Sequence, residues 1–369
     1  TYIAGCLEDV YDDDFHHANK GERKFACLSG TQCIDDAYNW IRAGRNRGRA
    51  ALVIATDTAL YERGDPGEAT QGAGAVAMLI DEEPDIVALS AEQGYGSADE
   101  TDFLKPNQQF PSVDGKRSIQ VYLARMREAL EDFESIAGDT HPDSFAYFPF
   151  HTPYPGMVRK AALLAYRHIT RDTGIEEALS SDIGMQPRDA DFDSREAYED
   201  AIRAYMDDLK ETPQYQAWYD GAIDVTVDVS GRVGNWYTGS VHLARLSALR
   251  AAAADGVDLA GQRLLVGSYG SGAQAEIHAE TVQERWQDAV DPIDIDNQLD
   301  NRYDLSFEEY ELVHDVHNHE KEVDVEAFTQ PEAEFVFTGW GRMSERRYEY
   351  IHCEHGLNPG RSAARHAVQ

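Results

Sequence analysis

Apolar positions along the first part of the chain alternate between a helical and an extended period. Ile34, Ala37, Tyr38 and Ile41 recur at i, i+3, i+4 and i+7, the spacing of one buried helix face. Gly44 and the arginine-rich turn Arg45–Arg49 stop that helix. Ala50–Thr56 is a continuous apolar run of strand length, the pattern of a strand covered on both faces. A loop with Gly64, Pro66 and Gly67 leads to a second such strand, Gly72–Ile80, and Asp85–Ser90 reads as a third. Residues 94–118 read as a loop punctuated by Gly and Pro, ahead of a helix over Ile119–Ile136. Ser144–Phe150 reads as a strand ending at His151, and Gly156–Thr170 as the helix after it. Residues 171–230 are strongly acidic with a helical pattern, a surface elaboration. Gly239–Ala254 is an Ala/Leu-rich helix, and Arg263–Gly267 a short strand running into a glycine turn. The remainder is mixed and acidic, with Phe335–Thr338 as a late strand and a loose tail over the last dozen residues. Strands alternating with helices predict an α/β protein whose functional residues sit on loops at strand ends.

Composition narrows what such a protein does. The 369 residues are 42% hydrophobic, with 19 Tyr, 13 Phe and 5 Trp, enough for a large core. Lys and Arg number 33 against 67 Asp and Glu, a net charge of −34. Nucleic acids and anionic membranes repel such a surface, because both require clustered basic residues. Among the basic residues only 7 are Lys and 26 are Arg. Dense carboxylates with little Lys fit a halophile's salt-rich cytoplasm, where screening shortens repulsion to a few ångströms. No run approaches the roughly 18–20 apolar residues of a membrane span, and nothing at the N-terminus reads as a signal peptide. Thr1 is no natural initiator, and Thr1–Val10 reads as the tail of something already under way. Four cysteines (Cys6, Cys27, Cys33, Cys353) make no disulfide framework, and without a CxxC no thiolate zinc site. A reduced, cytoplasmic chain is expected.

Four segments carry candidate chemistry. In Phe25–Thr31 a Cys enters a helix at the positive end of its dipole, which favours thiolate, and Ala26, Ser29 and Gly30 leave room for a substrate. Taken alone, Cys27 reads first as a small buried hydrophobe, which is what most free Cys are. In Phe150–Tyr154 a His stands at the end of an apolar strand, as a site residue or as hydrogen-bonded structure. Asn235, within Gly234–Ser240, is a polar site residue or a turn before a helix. Ser268-Tyr269-Gly270-Ser271-Gly272 is a cradle of backbone N–H groups for an oxyanion or an ordinary tight turn. Taken together, Cys, His and Asn on three strand-end loops, with a glycine turn supplying donors, suit acyl transfer through a thioester.

These blocks, with Val53–Tyr61, Thr70–Ala77 and Pro111–Gly115, resemble the hydroxymethylglutaryl-CoA synthases in order and spacing, from about residue 20 to 280 and more patchily beyond. The Asn-x-Tyr-Thr-Gly-Ser and Ser-Tyr-Gly-Ser-Gly blocks separate that family from its thiolase-fold relatives. The resemblance implies a thiolase-like α/β fold of two similar halves with mixed sheets and buried helices: residues 1–137, incomplete at the start and carrying Cys27, and 138–369, carrying His151, Asn235 and the acidic elaboration. It implies condensation of acetyl-CoA with acetoacetyl-CoA and water, an early step of the mevalonate pathway, with no cofactor, no metal, a homodimer and an acetoacetyl-CoA thiolase as a possible partner. Carried over by motif, Cys27 takes the acetyl group, and His151 and Asn235 orient and polarise the acetoacetyl group. The N–H groups of Cys27 and Ser271 form the oxyanion hole. Tyr61 lines the acetyl pocket with Tyr237 and Gly270, and Asp57 and Asp114 match acidic positions that support the site.

Two departures qualify the match. The family's glutamate that removes a methyl proton lies farther upstream of the Cys than this chain reaches. Glu8 and Glu22 are the only glutamates before Cys27, and neither sits in a matching motif, so no residue takes that role. Either the first strands of the fold are left out of the sequence or the chain is a fragment. The former is favoured, because Ile34, Val53 and Val76 need partner strands. The second departure is Gly156, where relatives commonly carry a Lys that meets CoA phosphates. Arg159 and Lys160 remain nearby, as CoA contacts or as offsets to acidic neighbours. Other readings are a Cys-dependent ketoacyl synthase and a non-catalytic acyl-CoA or thiolase-binding partner. His314, His317 and His319 fit no metal spacing and read as solvated surface. Asp294-x-Asp296 lacks the Gly of a calcium loop, where Leu299 stands, and His16 and His17 lie in a hydrated loop.

Overall fold

Ser29–Arg42 forms the first helix, α1, and buries Ser29, Gly30, Thr31, Ile34 and Ala37 along one side. In the computed structural model the described residues are 3–4, 7–8, 15–105, 110–317, 335–340 and 346–350. The expected tail over the last dozen residues, Cys6, Cys353, His319 and most of Thr1–Val10 lie outside them. β1 (Ala51–Thr58) and β2 (Ala73–Ile80) pair antiparallel from Ala51↔Ile80 to Thr58↔Ala73. Ile34 and Ala37 of α1 pack on Val53, with Met78, Ile80 and Leu89 beside them.

β3 (Val87–Ser97) runs well past the expected end at Ser90. Gly94 and Gly96 are not loop glycines: a Cβ on Gly94 would stand 2.2 Å from backbone atoms of Ala129 and Phe133. Their bare backbone lets a long helix lie directly on the strand. Two short strands follow, β4 (Phe103–Leu104) and β5 (Ser112–Val113), paired antiparallel. The helix itself, α2 (Gly115–Ala137), starts at the Asp114 cap, whose Oδ1 accepts from the Arg117 N–H at 3.1 Å.

The segment Ser144–Phe150 is not the regular strand expected. It makes two isolated parallel bridges, Tyr147↔Leu264 and Phe150↔Gly267. Backbone bonds run Ala146 N–H to Arg263, Leu265 N–H to Tyr147, Gly267 N–H to Pro149 and His151 N–H to Gly267. The rung between them would need an N–H at position 149, and Pro149 has none. α3 (Pro155–Ile169) follows, then α4 (Gly174–Ile183), α5 (Arg195–Leu209), α6 (Pro213–Tyr219), a π turn at Asp220–Asp224, and α7 (Val225–Val233). This acidic region is more than a surface layer, because Leu179, Tyr205, Leu209, Tyr215 and Ile223 on its inner side join Phe148 and Tyr166 in the main core.

After α8 (Ser240–Ala254) comes β6 (Arg263–Gly270), which takes in Ser268, Tyr269 and Gly270, so the glycine turn begins later than expected. β7 (Gln274–Val282) completes a hairpin with β6 and also pairs with β3, giving the order β3-β7-β6. This central strand was not expected at all. Its alternate residues Glu276, His278 and Glu280 read as a solvent face, yet each is buried. α9 (Trp286–Val290) and α10 (Ile295–Asp300) close this unit, Arg23–Arg302. The division expected at residues 137 and 138 falls inside it, since its sheet draws β3 from before that point and β6 and β7 from after it. Asp294 caps α10, and Asp296 pairs with Arg232 at 2.6 Å and Arg250 at 2.9 Å.

Residues 1–22 and 303–369 form a second unit. It holds α11 (Phe307–His317) and the antiparallel hairpin of β8 (Phe335–Trp340) and β9 (Arg346–Tyr350). His314 on α11 is buried, with its ring 5.7 Å from that of Tyr310, where a solvated position was expected.

Candidate active site

A tight loop delivers Cys27 to the start of α1. Ala26 adopts a left-handed φ of 42°, and the Leu28 N–H closes the turn on the Phe25 carbonyl at 3.0 Å. Ser29 ties the loop from within, its Oγ accepting from the Phe25 N–H at 2.5 Å and donating to the Ala26 carbonyl at 3.2 Å. The first turn of α1 is then fastened from the far half of the chain. The Gly30 N–H donates to Thr238 Oγ1, and the Thr31 hydroxyl lies 2.7 Å from that of Ser268. Gly270 abuts the same loop, because a Cβ there would fall 2.8–2.9 Å from the Phe25 carbonyl and from Leu28. That approach sets the turn carrying Ser271 beside the Cys27 loop.

The helix dipole predicts a thiolate, but burial and the carboxylates of Asp57 and Asp102 hold the Cys27 thiol far above its ordinary pKa. Desolvation and two like charges outweigh the half-charge of one helix end. Burial and like charge thus oppose the thiolate that the helix end favours.

His151 is 1% exposed and sits where the Pro149-broken segment meets β6. Its N–H is held by the Gly267 carbonyl at 2.7 Å, and its own carbonyl accepts from the Tyr122 hydroxyl at 2.9 Å. Its ring stacks on Tyr269, centroids 6.4 Å apart and planes 29° from parallel. Burial pushes the imidazole down to about 3, so it is neutral at pH 7, and Nδ1 has no protein partner. Tyr122 meets Tyr269 edge-on at 4.9 Å, completing an aromatic bracket around His151.

Asn235 is buried and locked at both ends. Its N–H donates to the Thr70 carbonyl at 2.9 Å. Its Oδ1 accepts from the Tyr237 N–H at 2.9 Å and the Ser240 hydroxyl at 3.3 Å. With the oxygen occupied, the amide NH2 is the face left for an oxygen of a ligand. Tyr237, at a left-handed φ of 55°, and the buried Tyr61 both lie within electrostatic reach of Cys27 and of each other. Burial pushes Tyr61 up to about 12, so it is a neutral phenol there. Asp57 caps its own strand end, Oδ1 accepting from the Thr58 N–H at 2.8 Å, and Lys105 and Lys24 stand near it. Asp114 caps α2 on an exposed side, and its N–H donates to the Asp102 carbonyl at 3.0 Å.

Arg159 and Lys160 are both exposed on the first turns of α3. Arg159 Nε reaches the Tyr219 hydroxyl at 3.4 Å. Among the described residues no group of three His, Cys, Asp or Glu side chains is arranged to hold a metal.

Two features here escape sequence reasoning. One is Asp102, fully buried, with Oδ2 at 3.4 Å from the Tyr269 hydroxyl. The other is a buried charge network behind α1. Arg245 Nη1 on α8 lies 2.6 Å from Glu280 Oε1, and His278 sits 3.3 Å from Glu280 and 3.6 Å from Glu276. Gln93 donates to both Asp35 on α1, at 2.6 Å, and Glu276, at 3.4 Å. His242, three residues before Arg245 on the same face of α8, places Nε2 over Gly30. The polar alternation of β7 was the one available signal, and read alone it means solvent.

Comparison with known proteins places this arrangement. The family model described as hydroxymethylglutaryl-coenzyme A synthase C terminal matches residues 95–340, and the corresponding N-terminal model matches residues 6–85. A hydroxymethylglutaryl-CoA synthase of Haloferax volcanii is 76% identical over 351 residues, covering 95% of this chain and 79% of that protein. Hydroxymethylglutaryl-CoA synthase A of Dictyostelium discoideum is 30% identical over 75% of this chain, which spans only 56% of that protein's length. Among solved structures, MvaS in complex with 3-hydroxy-3-methylglutaryl coenzyme A superposes with a TM-score of 0.76 at 28% identity, covering 95% of this chain and 78% of that one. An HMG-CoA synthase complexed with CoA superposes at 0.68 with 25% identity, covering 94% and 77%. The fold is the thiolase-like α/β fold anticipated above, and the chain belongs to the hydroxymethylglutaryl-CoA synthase family.

Proposed function

We propose that the protein condenses acetyl-CoA with acetoacetyl-CoA and water to 3-hydroxy-3-methylglutaryl-CoA and free CoA, through an acetyl thioester on Cys27. The observation that supports this reading is the Gly270–Ser271 turn packed against the loop of a buried Cys27, in a chain that also buries His151 and an Asn235 amide with its oxygen occupied. Cys27 sulfur attacks the acetyl thioester carbonyl, the C–S bond to CoA breaks, and the thiol proton leaves with CoA. The Cys27 and Ser271 N–H groups receive the oxyanion of that step. The acetyl methyl group then gives up a proton and its carbon adds to the ketone of acetoacetyl-CoA. Charge develops on the ketone oxygen, where a neutral His151 N–H and the Asn235 NH2 donate. Water finally cleaves the Cys27 thioester, leaving a carboxylate and the free thiol. One proton leaves the methyl group and one joins the new alkoxide to give the 3-hydroxyl, and the carrier of both is assigned to no residue.

Tyr61, Tyr237 and Gly270 line the acetyl side of this site, with Asp57 and Asp114 supporting it. Arg159 and Lys160, exposed on one helix turn of so acidic a chain, are positioned for the phosphates of CoA. With this reading goes a homodimer working in the cytoplasm, supplied by an acetoacetyl-CoA thiolase. No helix among the described residues is long and apolar enough to cross a membrane.

The test is acetyl transfer from labelled acetyl-CoA in molar KCl, with peptide mapping of the adduct. The expected result is label on Cys27, discharged to product by acetoacetyl-CoA and absent from Cys27→Ala. Label that never appears on Cys27 of a folded protein defeats the reading.

A further inference from the structure

The ladder of β1 and β2 stops at a rung that the backbone does not make. Its register pairs Thr58 with Ala73, and just beyond it the Ala59 N–H still donates to the Gly72 carbonyl at 2.8 Å. Antiparallel bonding recurs at every second pair, so the next rung would take the Tyr61 N–H to the Thr70 carbonyl. That carbonyl accepts instead from the Asn235 N–H at 2.9 Å, where Gln71 and Asn235 form an isolated parallel bridge. The Tyr61 N–H is held by the Gln71 side chain, whose Oε1 accepts from it at 2.7 Å. Tyr61 is buried, and without that oxygen its N–H would be a costly orphan. Two glycines permit the crossing. A Cβ on Gly72 would fall 2.6 Å from the Gly234 carbonyl carbon, and one on Gly234 would fall 2.2 Å from the Gln71 carbonyl oxygen. The Tyr61 ring lies against Gly67, where a Cβ would stand 2.7 Å from it, and Asn235 Oδ1 holds the Tyr237 N–H.

We propose that Gln71 is a positioning residue for this reaction: its side-chain oxygen stands in for the Thr70 carbonyl at Tyr61, leaving that carbonyl to hold Asn235. One side chain thereby sets both Tyr61 on the acetyl side and Asn235 on the ketone side. This rests on the condensing role proposed above. With the oxygen removed, the Tyr61 N–H either turns back to the Thr70 carbonyl, drawing it from Asn235, or stands without a partner. In both cases one of the two residues shifts within the site. A small misplacement of an oriented group costs rate more than binding.

Two variants of the full chain test this in molar KCl. Gln71→Met keeps the length of the side chain and removes the amide oxygen, whereas Gln71→Glu keeps an acceptor. Gln71→Met is expected to lower kcat for condensation by about tenfold, the scale of one buried hydrogen bond, with KM within about twofold. Gln71→Glu should recover most of that loss. Independently, hydrogen exchange of the Tyr61 and Asn235 amides requires no substrate. Both should be slow in the parent and in Gln71→Glu, and at least one should exchange about tenfold faster in Gln71→Met. Parental exchange at both amides of Gln71→Met overturns the assignment. So does an unchanged kcat, or a Gln71→Glu variant as slow as Gln71→Met. A parent that makes no product while its amides respond as expected defeats the condensing role and leaves Gln71 as the link between Tyr61 and Asn235. If Gln71→Met does not fold, Gln71→Asn, one methylene too short for Tyr61, decides by the same readings.

Discussion

The backbone N–H of Gly30 donates to the side-chain oxygen of Thr238, two residues from opposite halves of the chain joined at the first turn of the helix that follows Cys27. That bond exists because position 30 has no side chain. A Cβ there would stand 2.8 Å from Thr238 Oγ1 and 3.1 Å from His242 Nε2, both on packed elements. Gly30→Ala should destabilise the protein by about 1–3 kcal/mol, the usual range for overpacking, and slow acetylation of Cys27. Gly115→Ala is the control, since nothing lies within 4 Å of its Cβ. Urea midpoints check both. Equal midpoints for the two variants would remove Gly30 from this role.

Three buried histidines should differ in charge at pH 7. Burial holds His151 down to about 3, and burial with the Arg245 charge does the same to His242. Burial opposes charge on His278 too, but the carboxylates of Glu276, 3.6 Å away, and Glu280, 3.3 Å away, outweigh it and raise the ring to about 10. Nitrogen-15 NMR of histidine-labelled protein should show two neutral rings and one doubly protonated ring among them. A neutral His278 at pH 7 would contradict the network.

Asp35 supplies a pH dependence of stability with a defined sign. Burial and the neighbouring Glu276 raise its carboxyl from 3.8 to about 7. A group with a raised folded pKa contributes its full stability below the unfolded value and loses it as pH climbs through the folded one. His278 adds to the same trend from its unfolded 6.5 up to about 10. Thermal unfolding of the parent should therefore fall from pH 5 to pH 8 more steeply than that of Asp35→Asn, with the two curves nearest at the acid end. Parallel curves would show that Asp35 titrates elsewhere.

Arg245 and Glu280 form a buried pair in which each depends on the other. Burial alone would raise Glu280, yet Arg245 and His278 bring it down to about 2. Arg245→Met leaves that carboxylate with His278 only and should cost about 3–5 kcal/mol, whereas Arg245→Met with Glu280→Leu should recover part of the loss. Denaturant midpoints of the singles and the double give the coupling. A double variant weaker than both singles would mean that packing, not charge, dominates there.

What could be read in advance follows from which neighbours a residue has along the chain. The α1 face of Ile34, Ala37 and Ile41 and the apolar runs of β1 and β2 carry their own period, and the nucleophile, His151 and Asn235 sit in blocks whose order is distinctive. β7 was illegible because its polar positions find partners on α1, β3 and α8, which no local pattern contains. The same reason hid Asp102: its neighbours are Tyr269 and Cys27, far away in sequence. The helix dipole at Cys27 is visible in sequence, whereas the desolvation that opposes it is not. Ser144–Phe150 misled in the opposite sense, since its apolar run is genuine but Pro149 withholds one rung.

The charged face of β7 also bears on how the hairpin finds its alignment. Strands β6 and β7 pair with Val266 opposite His278, and Gln93 of β3 stands opposite His278 on the other edge. A slip of two residues would keep every side chain on its own face, so apolar burial alone discriminates weakly against it. With Glu276, His278 and Glu280 in that face, such a slip would carry Glu280 away from Arg245 and Glu276 away from Gln93, stranding charge in the interior. The strand therefore has one register in which its ions are matched.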